Sequence, residues 1–192
     1  MKKSNRLVYF LTEITIVVIG VLIAVSIGNY KEKVDNETYI EKTLLAIDNE
    51  IKLSQTEIDT VLNRHLKLYE ALENEIGETN KTIAELVINS GGFQVASIKN
   101  VSLRFFIANK AELLDFKLIT QLLEIELLSD LLSDKIQRFA DFSYENINSK
   151  DEEVKLKFAY LLSDIIDGEQ TLLKSYATFL EENKAYLNLK NR

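Results

Sequence analysis

The sequence predicts an all-α protein in which an N-terminal transmembrane helix continues into an elongated antiparallel helical bundle. Three observations support this class. The chain has 192 residues with no proline and six glycines, so few residues interrupt its helices. Residues 7–28 form an apolar segment long enough to cross a bilayer. Downstream of this segment, apolar residues recur at steps of three, four or seven, the spacing of amphipathic helices.

Composition divides the chain into a stub with its anchor, residues 1–30, and an acidic domain, residues 31–192. Residues 1–30 contain three basic residues and one acidic residue and have a net charge of +2. Since the whole chain has a net charge of −7, residues 31–192 have a net charge of −9. An acidic surface repels phosphate backbones, and we expect no nucleic-acid partner. The chain has no cysteine, which excludes disulfides, thiolate metal sites and thiol nucleophiles.

The apolar segment is interpreted as an uncleaved membrane anchor. At about 1.5 Å per residue it gives about 33 Å of helix, against a hydrocarbon core of about 30 Å. Lys2, Lys3 and Arg6 precede it, which predicts a cytoplasmic N-terminus and a periplasmic domain on the inner membrane. Two alternatives stay open: a signal peptide cleaved near residues 24–26, and a buried core helix.

One face of the span gathers its small residues and its only charge. Gly20, Ala24 and Gly28 recur every four residues, a pattern that lets two helix backbones approach closely in lipid. Glu13 lies only about 20° from Gly20 around the helix, because a helix turns about 100° per residue. We therefore predict that these four residues contact another membrane helix. The alternative is that the Glu13 carboxylate extends to the headgroup region.

The span also resembles a known family. The matching residues are Glu13, Val17, Val18, Ile19, Gly20, Leu22, Ile23, Ala24, Ile27 and Asn29. They resemble the N-terminal signature of an uncharacterised family of small single-pass membrane proteins common in Bacteroidetes. Ser26, Gly28 and Tyr30 depart from it, since the family tends to have Gln, Asn and Trp there. The resemblance covers about a tenth of the chain. It implies an envelope location, and because the family has no assigned activity it gives no indication of chemistry.

The first helix of the domain is predicted over residues 34–76, with Gly77 ending it. It has a near-heptad apolar seam and is expected to leave the membrane as a stalk. The seam residues are Ile40, Leu44, Ile47, Ile51, Ile58, Val61, Leu68 and Leu72.

A short helix through residues 83–87 follows, capped by Thr79 or Asn80, and it stops before the loop at residues 89–92. A third helical stretch is predicted from Phe93 to Asn109.

Two long helices complete the bundle. Asn109 and Glu112 are expected to cap a helix over residues 111–148, and Ser149 and Glu152 the last helix. Short connections between long helices predict antiparallel packing.

Few residues suggest chemistry. His65, the only histidine, is either a proton sensor or metal ligand, or a partly buried helix residue. Glu124, Glu126, Asp130 and Asp134 are either a carboxylate site for a cation or acid–base work, or a solvated helix face. We predict no metal, no cofactor and no catalytic residue.

Seven aromatic residues are candidates for a ligand pocket between helices, with core packing as the alternative. They are Tyr69, Tyr144, Tyr160, Tyr176, Tyr186, Phe105 and Phe106.

The sequence favours a non-enzymatic, membrane-anchored interaction or scaffold protein of the cell envelope. Its expected partners are the lipid bilayer, through residues 7–28, and a second copy or another envelope protein. The alternative is a sensor-like bundle that binds a small ligand and signals through a partner protein. An enzyme requires that the carboxylates converge on a buried polar pocket.

Overall fold

A computed structural model describes residues 3–75 and 80–184, with side chains from Val8 onward. Across these ranges the regular elements are all helical, which confirms the all-α class. The helices are α1 Lys3–Glu75, α2 Ile83–Asn89, α3 Val101–Lys110, α4 Phe116–Asn146 and α5 Glu152–Glu182, with a 3₁₀ turn over Ala111–Leu113 between α3 and α4.

The chain forms two compact units, Met1–Lys42 and Thr43–Arg192, and α1 contributes to both. The first unit contains a segment of α1 that is long and apolar enough to cross a membrane, and within residues 3–75 and 80–184 nothing buries it. A core helix, one of the alternatives considered for this segment, would be mostly buried, so the structure disagrees with that alternative.

The second unit is built on three long helices. Seven of the eight predicted seam residues of α1 are buried: Leu44, Ile47, Ile51, Ile58, Val61, Leu68 and Leu72. The prediction is wrong for Ile40, which is partly exposed, and it missed Leu62, which is buried. Helices α4 and α5 are antiparallel, because Phe139 pairs with Phe158 at one end and Gln121 with Glu182 at the other. The predicted antiparallel packing of the last two helices is therefore correct.

Gly168 lets α5 approach α4 closely. A Cβ atom at this position would lie 3.2 Å from Leu132 Cδ1. Beside it, Lys135 Nζ on α4 donates to the Asp164 backbone carbonyl at 2.9 Å and to its Oδ1 at 2.7 Å. A larger side chain at 168 would therefore disturb both the apolar contact and this polar crossing.

The predicted helix from Phe93 is wrong at its start, because residues 93–100 are not helical and α3 begins only at Val101. The segment runs back along α1, whose side chains accept hydrogen bonds from its backbone amides. Within the segment, Glu57 Oε2 accepts from Ser97 N at 2.9 Å and Ser54 Oγ from Lys99 N at 2.8 Å. In the first turn of α3, Glu50 Oε2 accepts from Ser102 N at 3.0 Å. These bonds satisfy amides that helix formation would otherwise have to satisfy.

The cap of α2 is Thr82, so the prediction of Thr79 or Asn80 is wrong. Thr82 Oγ1 accepts from Glu85 N at 3.2 Å and Glu85 Oε2 accepts from Thr82 N at 2.7 Å, which is a capping box. Hydrogen bonding to Thr82 lowers the pKa of Glu85. The predicted loop is confirmed, with Gly91 and Gly92 at positive φ, where glycine is favoured. Gly77 lies outside the described residues.

The predicted cap of α4 is wrong, since Asn109 belongs to α3 and Glu112 to the 3₁₀ turn. The turn interrupts the helical path, and α4 starts afresh at Asp115, whose Oδ1 accepts from Leu118 N at 3.0 Å.

The predicted cap of α5 is displaced by two residues. Asp151 is the cap and accepts from Val154 N at 3.1 Å. Ser149, the predicted cap, instead accepts from Asp151 N through its Oγ at 3.2 Å. Serine and aspartate are both strong helix-capping residues, so the sequence alone did not distinguish Ser149 from Asp151.

Candidate functional site

His65 is fully buried, so the prediction of partial burial is wrong. It lies on α1, and its Nδ1 is 3.0 Å from Glu169 Oε1 and 3.1 Å from Glu169 Oε2 on α5. Its Nε2 is 2.9 Å from the backbone carbonyl oxygen of Gln94. Both side chains of the pair have only 1% of their surface exposed. A single imidazole thus joins α1, α5 and the segment 93–100.

The geometry requires one shared proton between His65 and Glu169. A carbonyl oxygen only accepts hydrogen bonds, so Nε2 carries a hydrogen and donates it to Gln94. Nδ1 then either donates as an imidazolium to a carboxylate or accepts from a protonated Glu169. Both arrangements are neutral overall. Removing the shared proton would leave a buried anion facing a lone pair, which is costly at this depth.

The hydrogen bonds of His65 argue against a role as a metal ligand. Both ring nitrogens already have protein partners. Within residues 3–75 and 80–184, no group of three or more potential ligands lies close enough together to hold an ion. The pair is therefore best described as a buried polar connection between helices.

A row of aromatic rings extends from His65 to α5. The His65 ring stacks on Phe93, with centroids 4.5 Å apart and planes at 10°. Phe93 contacts Phe139 at 4.5 Å, and Phe139 contacts Phe158 at 4.7 Å. Offset and tilted pairs at such separations are favourable. The row places the imidazole at the inner end of an aromatic wall.

That wall lines a cavity of about 400 Å³, here called the aromatic pocket. Its main lining residues are Val87, Phe93, Phe139, Tyr144, Ile147 and Phe158. Ala140 and Ser143 complete it on α4. The Ser143 hydroxyl is already used, since it donates to the Phe139 carbonyl at 2.6 Å. Helix α2 contributes Val87 to the wall and is joined to the end of α4 by a hydrogen bond from Ala84 N to the Ile147 carbonyl oxygen at 2.8 Å.

The aromatic residues predicted as ligand candidates fall in different places. Phe106 and Tyr176 are core residues, while Phe105, Tyr144 and Tyr160 are exposed. Tyr69 is partly exposed, and Tyr186 lies outside the described residues. Of the six that the structure describes, only Tyr144 is among the residues that line the aromatic pocket.

The sequence interpretation missed four site residues: Glu169, Phe93, Phe139 and Phe158. Phe139 is a buried residue of α4, and apolar periodicity alone gives no sign that it borders a cavity. Phe93 was assigned to a helix. Glu169 is separated from His65 by 104 positions.

Tyr176 is the largest polar side chain of the core and lies beside two serines. Burial raises the pKa of its phenol, although hydrogen bonds with Ser129 and Ser54 act in the opposite direction. The neutral phenol therefore links α5 to both α4 and α1.

The acidic set on α4 does not converge on a buried polar pocket. Glu124, Asp130 and Asp134 are exposed and Glu126 is partly exposed. Arg104 of α3 pairs with Glu126 at 3.6 Å and also with Asp130. This arrangement agrees with the solvated-face interpretation.

Glu13, Gly20, Ala24 and Gly28 are all exposed on α1, and the space around a Cβ atom at Gly20 or Gly28 is open to 4 Å. None of the residues that the structure describes covers this face. Its contact with a second helix stays a prediction.

Comparisons with models of known families, with curated proteins and with solved structures found no significant match. The resemblance of the span to the Bacteroidetes membrane-protein family therefore also stays a prediction.

Proposed function

We propose that this chain is a non-enzymatic, single-pass membrane protein that acts as an interaction or scaffold protein of the cell envelope, and that it associates with a second copy of itself. The observation that carries the proposal is the apolar segment of α1, which is left exposed by the residues that the structure describes. In the proposed arrangement the span lies in the inner membrane, with the N-terminus in the cytoplasm and the bundle in the periplasm.

The face of the span supports self-association. An exposed carboxylate in lipid costs about 2.5–3.5 kcal/mol on insertion scales, so Glu13 gains from a second helix that shields it. Gly20, Ala24 and Gly28 lie on nearly the same face and allow that helix to come close. Identical spans present identical faces, which suits a symmetric pair.

The bundle offers a second surface for the same partner. Leu123, Leu127 and Leu131 are exposed at four-residue spacing on α4, and Leu127 has 59% of its surface exposed. Leu127 lies about 180° around the helix from the buried Leu118, so this leucine row faces away from the core. We assign the row to contact with the second copy, because a row of identical leucines is complementary to itself.

The acidic set bears on the catalytic alternative. Its carboxylates are at least partly exposed, and Arg104 neutralises part of them. This supports binding, in preference to catalysis, as the function of the domain.

The test uses the full-length chain in lipid vesicles, with association measured by energy transfer between labelled copies. Gly20→Ile and Glu13→Gln are expected to weaken association. Val18→Ile is the matched control, because residue 18 lies about 160° away from Gly20 around the helix. Leu127→Glu tests the leucine row in the same assay and is also expected to weaken association.

Unchanged association in both Gly20→Ile and Glu13→Gln would contradict the proposed span interface. Equal weakening by Val18→Ile would show a general effect on the span and would contradict it as well.

A further inference from the structure

We propose that the aromatic pocket is a binding site for an uncharged small molecule that contains an aromatic ring, and that Phe93 couples its occupancy to His65. The inference goes beyond the proposed scaffold function and does not depend on self-association. It stands on the volume of the pocket, the chemistry of its wall and the ring contacts behind it.

The volume and the wall define the class of ligand. About 400 Å³ lies within the usual range of small-molecule sites, which is about 300–1,000 Å³. None of the described lining residues carries a charge, so an ionised ligand would lose its hydration without gaining a counter-ion. The Ser143 hydroxyl donates to the backbone of its own helix, which leaves an apolar interior.

The rings favour a planar ligand. Phe93, Phe139 and Phe158 form a continuous row of rings with centroids separated by 4.5 and 4.7 Å, in which Phe93 is partly exposed and the other two rings are buried. A ligand ring that packs against Phe93 extends this row with a stacked or edge-to-face contact of the same kind. Tyr144 is 91% exposed at the pocket, so its phenol group lies where a bound molecule meets solvent.

Phe93 connects the pocket to α1. One face of its ring stacks on His65 at 4.5 Å, and the residue itself lines the pocket. The next residue, Gln94, accepts the hydrogen bond from His65 Nε2 at 2.9 Å. A ligand that displaces or clamps Phe93 therefore acts on the imidazole of α1 through two adjacent contacts.

The sequence provides a selective readout, because His65 is the only histidine of the chain. The full-length protein, labelled with ¹⁵N at histidine and held in detergent micelles, gives one pair of imidazole nitrogen signals. The probe is N-phenyl-1-naphthylamine, which is uncharged and aromatic. We expect a saturable shift of the His65 signals as the probe is added.

Two variants locate the effect. Ala140→Phe fills the pocket and is expected to abolish the shift or to weaken the apparent affinity at least tenfold. Ala177→Phe makes the same chemical change at an exposed position of α5, outside the pocket, and is expected to behave as the native chain does. Both variants are measured in the same micelles, so non-specific partition of the probe into detergent contributes equally to both and does not affect their comparison.

A matched probe tests the charge argument. 1-Anilinonaphthalene-8-sulfonate has the same ring skeleton with an added sulfonate, and it is expected to bind at least tenfold more weakly. Equal binding of the two probes would overturn the assignment to uncharged ligands. No saturable shift in the native chain, or the same shift in Ala140→Phe, would overturn the site.

Discussion

The buried pair of His65 and Glu169 predicts a large, non-additive effect of mutation. Glu169→Leu leaves the Nδ1 of a fully buried imidazole without its partner, and His65→Leu leaves a buried carboxyl group. Removing one member of a buried pair costs about 3–5 kcal/mol. Domains of this size have unfolding free energies of about 5–15 kcal/mol, so each single variant loses a large share of the stability.

The double variant is expected to be much milder than the sum of the two. Two leucines replace the pair with apolar groups, which is often near neutral when the volume is kept. The lost bond to Gln94 costs about 1 kcal/mol, since the exposed residue can turn its carbonyl to water. Glu169→Gln keeps one hydrogen bond, because its amide can donate to Nδ1 of a neutral imidazole, and is expected to cost about 1 kcal/mol.

The assay is urea unfolding of the full-length chain in mild detergent, followed by circular dichroism. Thermodynamic coupling between the two sites is expected to exceed about 2 kcal/mol. A cost below about 1 kcal/mol for Glu169→Leu, or simple additivity in the double variant, would refute the shared-proton pair.

Three further predictions concern the scaffold of the site. Ser54→Ala removes the hydroxyl that holds the segment 93–100, and urea unfolding should show a loss of about 1–2 kcal/mol. Gly168→Leu forces α5 away from Leu132, and its melting curve should show a loss of about 1–3 kcal/mol. An NMR titration should place the pKa of Glu182 below 4.5, because the Lys117 ammonium donates a hydrogen bond to its carboxylate. Lys117→Met should return the pKa towards 4.5. For each of the three predictions, no measurable change would contradict the contact on which it is based.

The sign of that last effect defines a pH window. Because the folded pKa of Glu182 is lowered, its contribution to stability is present above 4.5 and is lost as the pH falls through the folded value. The pKa of Lys117 is raised by the same contact, so its contribution is present below 10.5 and is lost as the pH rises through the folded value. The pair is exposed, and its effect on stability is small.

The long helices were predictable because their apolar spacing is strong and local. The seam of α1 and the packing of α4 on α5 follow from residues three, four or seven positions apart. The caps were less predictable, since several capping residues lie near each helix start. In the structure, Thr82 and Asp151 cap α2 and α5, and the predicted caps Asn80 and Ser149 do not.

The site was less predictable than the fold because its contacts are distant in sequence. The segment 93–100 has helix-compatible residues, yet Glu57 and Ser54 bind its backbone from 40 and 45 positions away. Glu169 reads as an ordinary helix glutamate until α5 brings it to His65. The spacing of residues along the chain gives no information about contacts between such distant positions. The partner of His65 could therefore not be predicted from the sequence.

The central proposal, a membrane-anchored protein that pairs through its span, is tested most directly by cysteine crosslinking in intact membranes. The chain contains no cysteine, so each introduced thiol reports on one position. Ala24→Cys places the thiol on the face of Gly20, and Leu22→Cys places it about 160° away from residue 24 around the helix. The account predicts an oxidised dimer for Ala24→Cys and little for Leu22→Cys. Equal crosslinking of the two, or none at residue 24, would contradict it.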